Sequence, residues 1–326
     1  MPAFPVSRYI FYPIPWYSFL IVTGAALAIF LAAREERLLG LEKDTVVDLA
    51  LFVLPFGIIG ARLYYVLFSW KDFRADPVSA LYIWRGGLAI YGGIIAGLIT
   101  VLIFCRRRHL PFLLLCDMIS PGLALAQGIG RWGNYFNMEA YGAAVTDPWF
   151  CFFPLAVLIP EGTGYVWHIA AFFLESCWDI LIFLFLLFAR RRLFRSRGDV
   201  FFSYALLYSA GRLVIEETRA DSLFSGALRV SQVLSFCAVL IILVLFLLRR
   251  RGEGRLRAFS AAAFALSLIC AVPAAVIILH VPLSVSASLS GRIAVLSLFS
   301  AVSAVSYLII YGKSSGSEVI YARHKD

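Results

Sequence analysis

Apolar residues along this chain come in long runs, and a short polar or basic cluster closes nearly every one. The runs span about residues 16–33, 45–70, 81–105, 111–131, 166–189, 199–215, 228–248, 258–279 and 292–311. Each is near the ~20 residues a membrane-spanning helix needs. The pattern predicts an all-α polytopic membrane protein with nine spans. Between the fourth and fifth runs lies a long polar excursion, residues 132–165. The Pro- and aromatic-rich start, residues 1–16, lacks a basic n-region and a small-residue cleavage site, so it reads as an interfacial segment.

Composition agrees. Of 326 residues, 61% are hydrophobic and 15% charged, which no soluble domain matches. The net charge of +9 comes from Arg-rich clusters such as Arg106–Arg108, Arg190–Arg192 and Arg249–Arg251. These follow apolar runs and lack the aromatic interleaving of a nucleic-acid site, so no nucleic-acid partner is expected. With the N-terminus outside, the inner loops hold most of the Lys and Arg, which predicts N-out and C-in. The six cysteines form no CxxC pair and read as small buried hydrophobes. No ligand cluster for a metal is evident, and no cofactor is expected.

Some segments carry costly polar groups. The densest is Gly130-Arg131-Trp132-Gly133-Asn134-Tyr135-Phe136-Asn137-Met138-Glu139-Ala140-Tyr141-Gly142. Polar side chains at membrane depth usually mark a pathway or a reaction site. Arg131 and Asn134 share a helical face, with Asn137 one turn on. The glycines predict that the helix ends here and frees backbone groups for a ligand. The orientation places Arg62, Tyr91, Arg131, Asn134, Asn137, Glu139, Arg212 and Glu216 in the outer half of the bilayer. Arg212 and Glu216 lie one turn apart, and Arg219 follows. Four arginines with two carboxylates fit bidentate binding of a phosphate. Buried pairs that only fix helix register would use the same residue types. His168 and Glu175, seven apart, are expected on one face of the fifth helix, His168 as a structural hydrogen bonder.

These stretches carry a resemblance. The run from Gly130 to Gly142 resembles the signature G-R-x-G-N-F-x-N-x-E-x-x-G of the prolipoprotein diacylglyceryl transferases. Gly60-Ala61-Arg62-Leu63-Tyr64-Tyr65-Val66, Arg212-Leu213-Val214-Ile215-Glu216 with Arg219-Ala220-Asp221-Ser222-Leu223, and Pro15-Trp16-Tyr17 are similar to further family motifs. The likeness covers about residues 10–250. It implies a bacterial inner-membrane enzyme that moves diacylglyceryl from phosphatidylglycerol to the lipobox cysteine of a preprolipoprotein. A thioether forms and glycerol 1-phosphate leaves.

Carried over, the resemblance makes Arg131 and Arg212 the phosphate ligands and Glu216 the group that orients Arg212. Asn134, Asn137 and Glu139 hold the glycerol and order the loop. Tyr17 lines the lipid site, and Arg62, Gly142 and Arg219 join the substrate contacts. Tyr91-Gly92-Gly93 stands where many members have His-Gly-Gly, the His being the assigned base, so the identity of the base is open. Around Glu175, the Pro and Tyr of the family's H-x-P-T-F-x-Y-E stretch are absent. The predicted organisation is a seven-helix transferase core, residues 1–252, with the outer loop 132–165. A C-terminal extension, 253–326, adds two transmembrane helices and a cytoplasmic tail. Two rivals use the same residues: an anionic-lipid transporter and a non-catalytic lipid-binding relative.

Overall fold

The computed structural model describes residues 7–194, 196–220, 224–225, 228–249, 256–279 and 288–311. The motif residues Asp221–Leu223 and the tail beyond 311 lie outside them.

A two-stranded ribbon, β1 (Tyr9–Phe11) and β2 (Ile14–Pro15), leads into helix α1 (Trp16–Leu38). Helix α2 (Thr45–Phe68) follows, with a one-turn α3 (Trp70–Phe73) after it. Helices α4 (Ile90–Arg107) and α5 (Phe112–Asn137) come next. A hairpin of β3 (Ala156–Glu161) and β4 (Gly164–Ile169) precedes α6 (Ala171–Arg192) and α7 (Asp199–Thr218). The short ribbon β5 (Phe224–Ser225) and β6 (Leu228–Arg229) then leads to α8 (Val230–Arg249). Helices α9 (Leu256–Ile278) and α10 (Leu289–Tyr311) complete the described chain.

Among the described residues, six helices are long and apolar enough to cross a membrane: α1, α2, α4, α5, α6 and α10. Shorter apolar helical stretches lie in α8 and α9. Helix α7 carries Asp199, Arg212, Glu216 and Glu217 in twenty residues, which lowers its hydropathy. The chain is a multi-pass, all-α membrane protein.

Three boundaries differ from those the hydrophobic pattern predicts. Helix α5 runs through Gly128, Gly130 and Gly133 and stops only at Asn137. Glycine costs a helix about 1 kcal/mol per residue in water, but here close packing offsets it. A Cβ on Gly128 would meet Ile180 at 3.0 Å, and one on Gly133 would meet Tyr17 at 2.5 Å. The stop comes from Met138 and Ala140, both at positive φ (54° and 57°). The third predicted segment starts late, because Gly86 and Gly87 sit at positive φ in a loop ahead of α4. The fifth starts late as well. Residues 164–169 form β4, so His168 is not on the helix of Glu175.

The chain forms two compact units, and the division falls inside α1 and α5. In residues 29–119, α2 and α4 cross at small residues. A Cβ on Gly60 would lie 2.2 Å from the Ala96 Cβ, and one on Gly92 would lie 2.3 Å from the Gly60 carbonyl. Such contacts let backbones approach in lipid, where apolar bulk gives no driving force. The other unit holds residues 1–28 and 120–326. Its core joins α6 to α10 around α7, with Leu186, Leu206, Leu213, Leu243, Leu296 and Phe299 fully buried. A smaller cluster of Ala140, Val157, Ile159, Ala170 and Phe172, with Trp132 and Tyr135 against it, seats the β3–β4 hairpin beside the end of α5.

Candidate functional site

In the larger unit, α5, α6 and α7 bring four charged side chains together. Glu175 on α6 is the hub. Its Oε1 lies 2.5 Å from Arg131 Nη2 and 2.6 Å from Arg212 Nη1. Arg212 Nη2 reaches Glu216 Oε2 at 2.8 Å, one helical turn on. Glu175 and Glu216 are buried, and the arginines are largely so. The two guanidinium charges balance the two carboxylates. The geometry is strong because buried charges pair at hydrogen-bonding distance, and removing one partner would leave a costly orphan. The second oxygen of Glu175 is buried with no hydrogen-bond partner among the described residues.

Glu175 gathers both arginines, a place that the linear pattern does not single out. Its signal is an acid inside a long apolar run, with Asp179 one turn beyond it. Asp179 is fully buried within electrostatic reach of Glu175, Arg131 and Arg212. Ser176, next to Glu175, donates to the Gly128 carbonyl at 2.7 Å and ties α6 to α5 just below Arg131.

The end of α5 builds a second layer. Glu139 Oε1 accepts from Asn134 Nδ2 at 2.9 Å and from Asn137 Nδ2 at 3.1 Å. The left-handed backbone of Met138 turns Glu139 back over the helix end, and the Glu139 N–H bonds the Asn134 carbonyl at 3.0 Å. The carbonyl oxygen of the Asn137 side chain is buried and has no partner among the described residues, so it offers an open acceptor. Tyr17 packs on Gly133 and feels the charges of Glu139 and Arg131. Trp16 stacks on Phe136, with ring centroids 4.9 Å apart.

Gly142 sits where three segments cross. Its N–H bonds the Ile169 carbonyl at 2.7 Å, and its backbone pairs with Arg219. A Cβ there would lie 2.5 Å from the Thr218 carbonyl. So Gly142 and Arg219 tie the loop after α5 to the end of α7 through their backbones. His168 Nδ1 bonds the Gly142 carbonyl at 2.8 Å and Nε2 meets Glu161 at 3.0 Å, a structural hydrogen-bonding role.

The smaller unit holds Arg62 and Tyr91. Arg62 is buried, and four backbone carbonyls accept from it: Ser79, Ala80, Gly86 and Gly87, at 2.7–3.0 Å. Phe73 and Tyr65 flank the guanidinium. This use of Arg62 organises the loop before α4. Tyr91 is the second residue of α4, half-buried, beside the Gly92–Gly60 crossing.

Gly211, next to Arg212, faces Trp178 of α6. A Cβ at 211 would lie 2.0 Å from the Trp178 Nε1, which donates to the Leu207 carbonyl at 2.9 Å. Gly211→Ala is therefore expected to push α7 from α6 and break that bond. Overpacking costs about 1–3 kcal/mol, so thermal unfolding in detergent should come several degrees lower. An unchanged unfolding temperature would show that Trp178 has room to move.

The fold and the site define a polytopic membrane protein with a buried arginine–carboxylate clamp suited to an anion. The family model for prolipoprotein diacylglyceryl transferase matches residues 5–248. The phosphatidylglycerol–prolipoprotein diacylglyceryl transferase of Limosilactobacillus reuteri (strain DSM 20016) is 41% identical over 243 residues, covering 73% of this chain and 88% of that protein. The Bacillus mycoides (strain KBAB4) protein of the same name is 40% identical over 246 residues, covering 75% and 90%. That of Enterococcus faecalis (strain ATCC 700802 / V583) is 40% identical over 246 residues, covering 74% and 88%. The chain belongs to the prolipoprotein diacylglyceryl transferase family.

Proposed function

We propose that the chain transfers diacylglyceryl from phosphatidylglycerol to the lipobox cysteine of preprolipoproteins. The observation that carries this reading is Glu175 holding Arg131 and Arg212 at one oxygen, in a chain of this family. The cysteine sulfur attacks the glyceryl carbon, the carbon–oxygen bond to phosphate breaks, and glycerol 1-phosphate leaves. Both guanidinium groups have N–H donors beyond those given to carboxylates. These donors stabilise charge that grows on the leaving phosphate. Asn134, Asn137 and Glu139 form the polar seat for the headgroup glycerol, and the open Asn137 carbonyl suits a hydroxyl donor. Tyr17 borders the lipid. Residues 1–252 make the transferase core. The protein sits in the bacterial cytoplasmic membrane, N-terminus outside and C-terminus inside, with the site toward the outer leaflet. The basic clusters support that orientation.

The direct test is incubation of the purified protein with phosphatidylglycerol and a lipobox peptide. The peptide should gain one diacylglyceryl mass, and glycerol phosphate should appear. Lipid movement across a vesicle without peptide modification would favour a transporter instead.

The thiol proton needs an acceptor, and Tyr91 stands where many relatives have His. A phenol of pKa about 10 is a poorer base for a thiol of pKa about 8.5 than an imidazole near 6.5. Tyr91→His should keep activity and move the pH optimum down. Tyr91→Phe should slow transfer, by up to the ~10²–10⁴ typical of general-base groups. A Tyr91→Phe rate and pH profile equal to the parent's would leave Tyr91 a packing residue.

A further inference from the structure

Helix α10 lies beyond the residues that match the family. It nevertheless packs along α7, the helix that carries Arg212 and Glu216. The contact has three polar rungs. Near the outer end, Arg292 Nε lies 3.0 Å from Glu217 Oε1. In the middle, Ser300 Oγ donates to the Ala210 carbonyl at 3.0 Å. Toward the other end, Tyr307 OH and Ser203 Oγ share a 2.6 Å hydrogen bond.

The spacing is regular. On α7 the rungs fall at 203, 210 and 217; on α10 they fall at 307, 300 and 292. One series rises as the other falls, so the helices run antiparallel, in steps of two turns on each. Repeats near seven residues keep one face of a helix against its partner. Leu296, Phe299 and Ser303, which lie between the rungs along α10, are fully buried. In lipid, apolar contact alone gives little preference for one register over another, because acyl chains pack as well as leucine does. Hydrogen bonds and ion pairs supply that preference.

The outermost rung is next to the clamp in the chain. Glu217 directly follows Glu216 and points about 100° away from it on the helix. Glu216 faces Arg212, while Glu217 faces α8 and α10. Glu217 is buried, and three groups surround it: Gln232 Nε2 at 3.0 Å, Arg292 at 3.0 Å and Arg229 at 3.7 Å. Arg292 is the nearer of the two cations. A rotation or slide of α7 that carried Arg212 away from Glu175 would also pull Glu217 away from Arg292.

We propose that α10 positions the arginine clamp, holding α7 in register through the Arg292–Glu217 pair and the two rungs below it. Arg292 is thus a positioning residue that acts through α7 on Arg212. The role rests on the transfer reaction proposed above.

The test uses the full chain in phosphatidylglycerol nanodiscs, with rates given per folded molecule. Arg292→Gln should lower kcat about tenfold, since small misplacements of a catalytic group are costly. The KM for phosphatidylglycerol should change less. Arg292→Lys should recover most of the loss. In an Arg212→Lys background the group that α7 positions is already impaired, so adding Arg292→Gln should lower kcat by less than about twofold further. A parent-like kcat for folded Arg292→Gln, or a full tenfold effect that persists with Arg212→Lys, would overturn the proposal. Should Arg292→Gln not fold, Ser300→Ala removes the middle rung without stranding a charge. It should lower kcat in the same direction, and a folded Ser300→Ala with parental kcat would equally overturn it. A parent chain that transfers nothing to the peptide would instead sink the reaction itself.

Discussion

Arg131→Lys and Arg212→Lys are each expected to cut transfer by about 10²-fold or more, while the protein still inserts and folds, as loss of one aimed charge-stabilising donor does elsewhere. Lysine keeps the charge but loses the planar fork. Arg212 serves two carboxylates at once, and Arg131 shares one of them. Arg212 holds Glu175 with Nη1 and Glu216 with Nη2, and Arg131 holds Glu175 with Nη2. A single ammonium at position 212 cannot span both carboxylates and still present a donor to phosphate. The check is kcat and KM for phosphatidylglycerol with a lipobox peptide, beside a fluorescence measure of folded protein. If both variants transfer at near-parental rates, the clamp is not the phosphate site.

Glu175→Gln is expected to have the next largest effect, and on two quantities of opposite sign. Breaking a buried ion pair costs about 3–5 kcal/mol, because the partner charge stays behind. Arg131 would then lose its ion-pair partner, and Arg212 would keep Glu216. The variant should unfold at a markedly lower temperature in neutral detergent. The same uncompensated charge should attract an anionic headgroup more strongly. Added phosphatidylglycerol should therefore stabilise Glu175→Gln by more than it stabilises the parent, since a ligand that binds only the folded state raises its stability. Turnover should fall despite the tighter binding, because Glu175 no longer fixes where the two arginines point. Equal stabilisation of variant and parent by phosphatidylglycerol would show that lipid phosphate does not use these arginines.

The pair of predictions turns on a residue that the linear pattern alone leaves in the background. Glu175 and His168 are seven apart, which on a helix would place them on one face. The strand β4 removes that relation, and the hydrogen bonds of His168 lie with Gly142 and Glu161. Arg62 shows a similar difference. Its motif is legible in the sequence, but only the folded loop brings the carbonyls of Ser79, Ala80, Gly86 and Gly87 around it. Those partners lie 17–25 residues away, beyond the reach of any local periodicity.

The sequence by itself determined the polytopic all-α class, the placing of most spans to within a few residues, and the family. The reason is that a bilayer admits few solutions: about twenty apolar residues must form a helix, and charges within them stand out. It also determined the Arg212–Glu216 pair, since a four-residue step on one helix is local geometry. The tertiary structure alone decided that Glu175 joins Arg131 to Arg212, that α5 runs through its glycines to Asn137, and that α10 grips α7. Each of these depends on which helix faces which, and a glycine or a buried acid has no partner until another helix arrives to supply it.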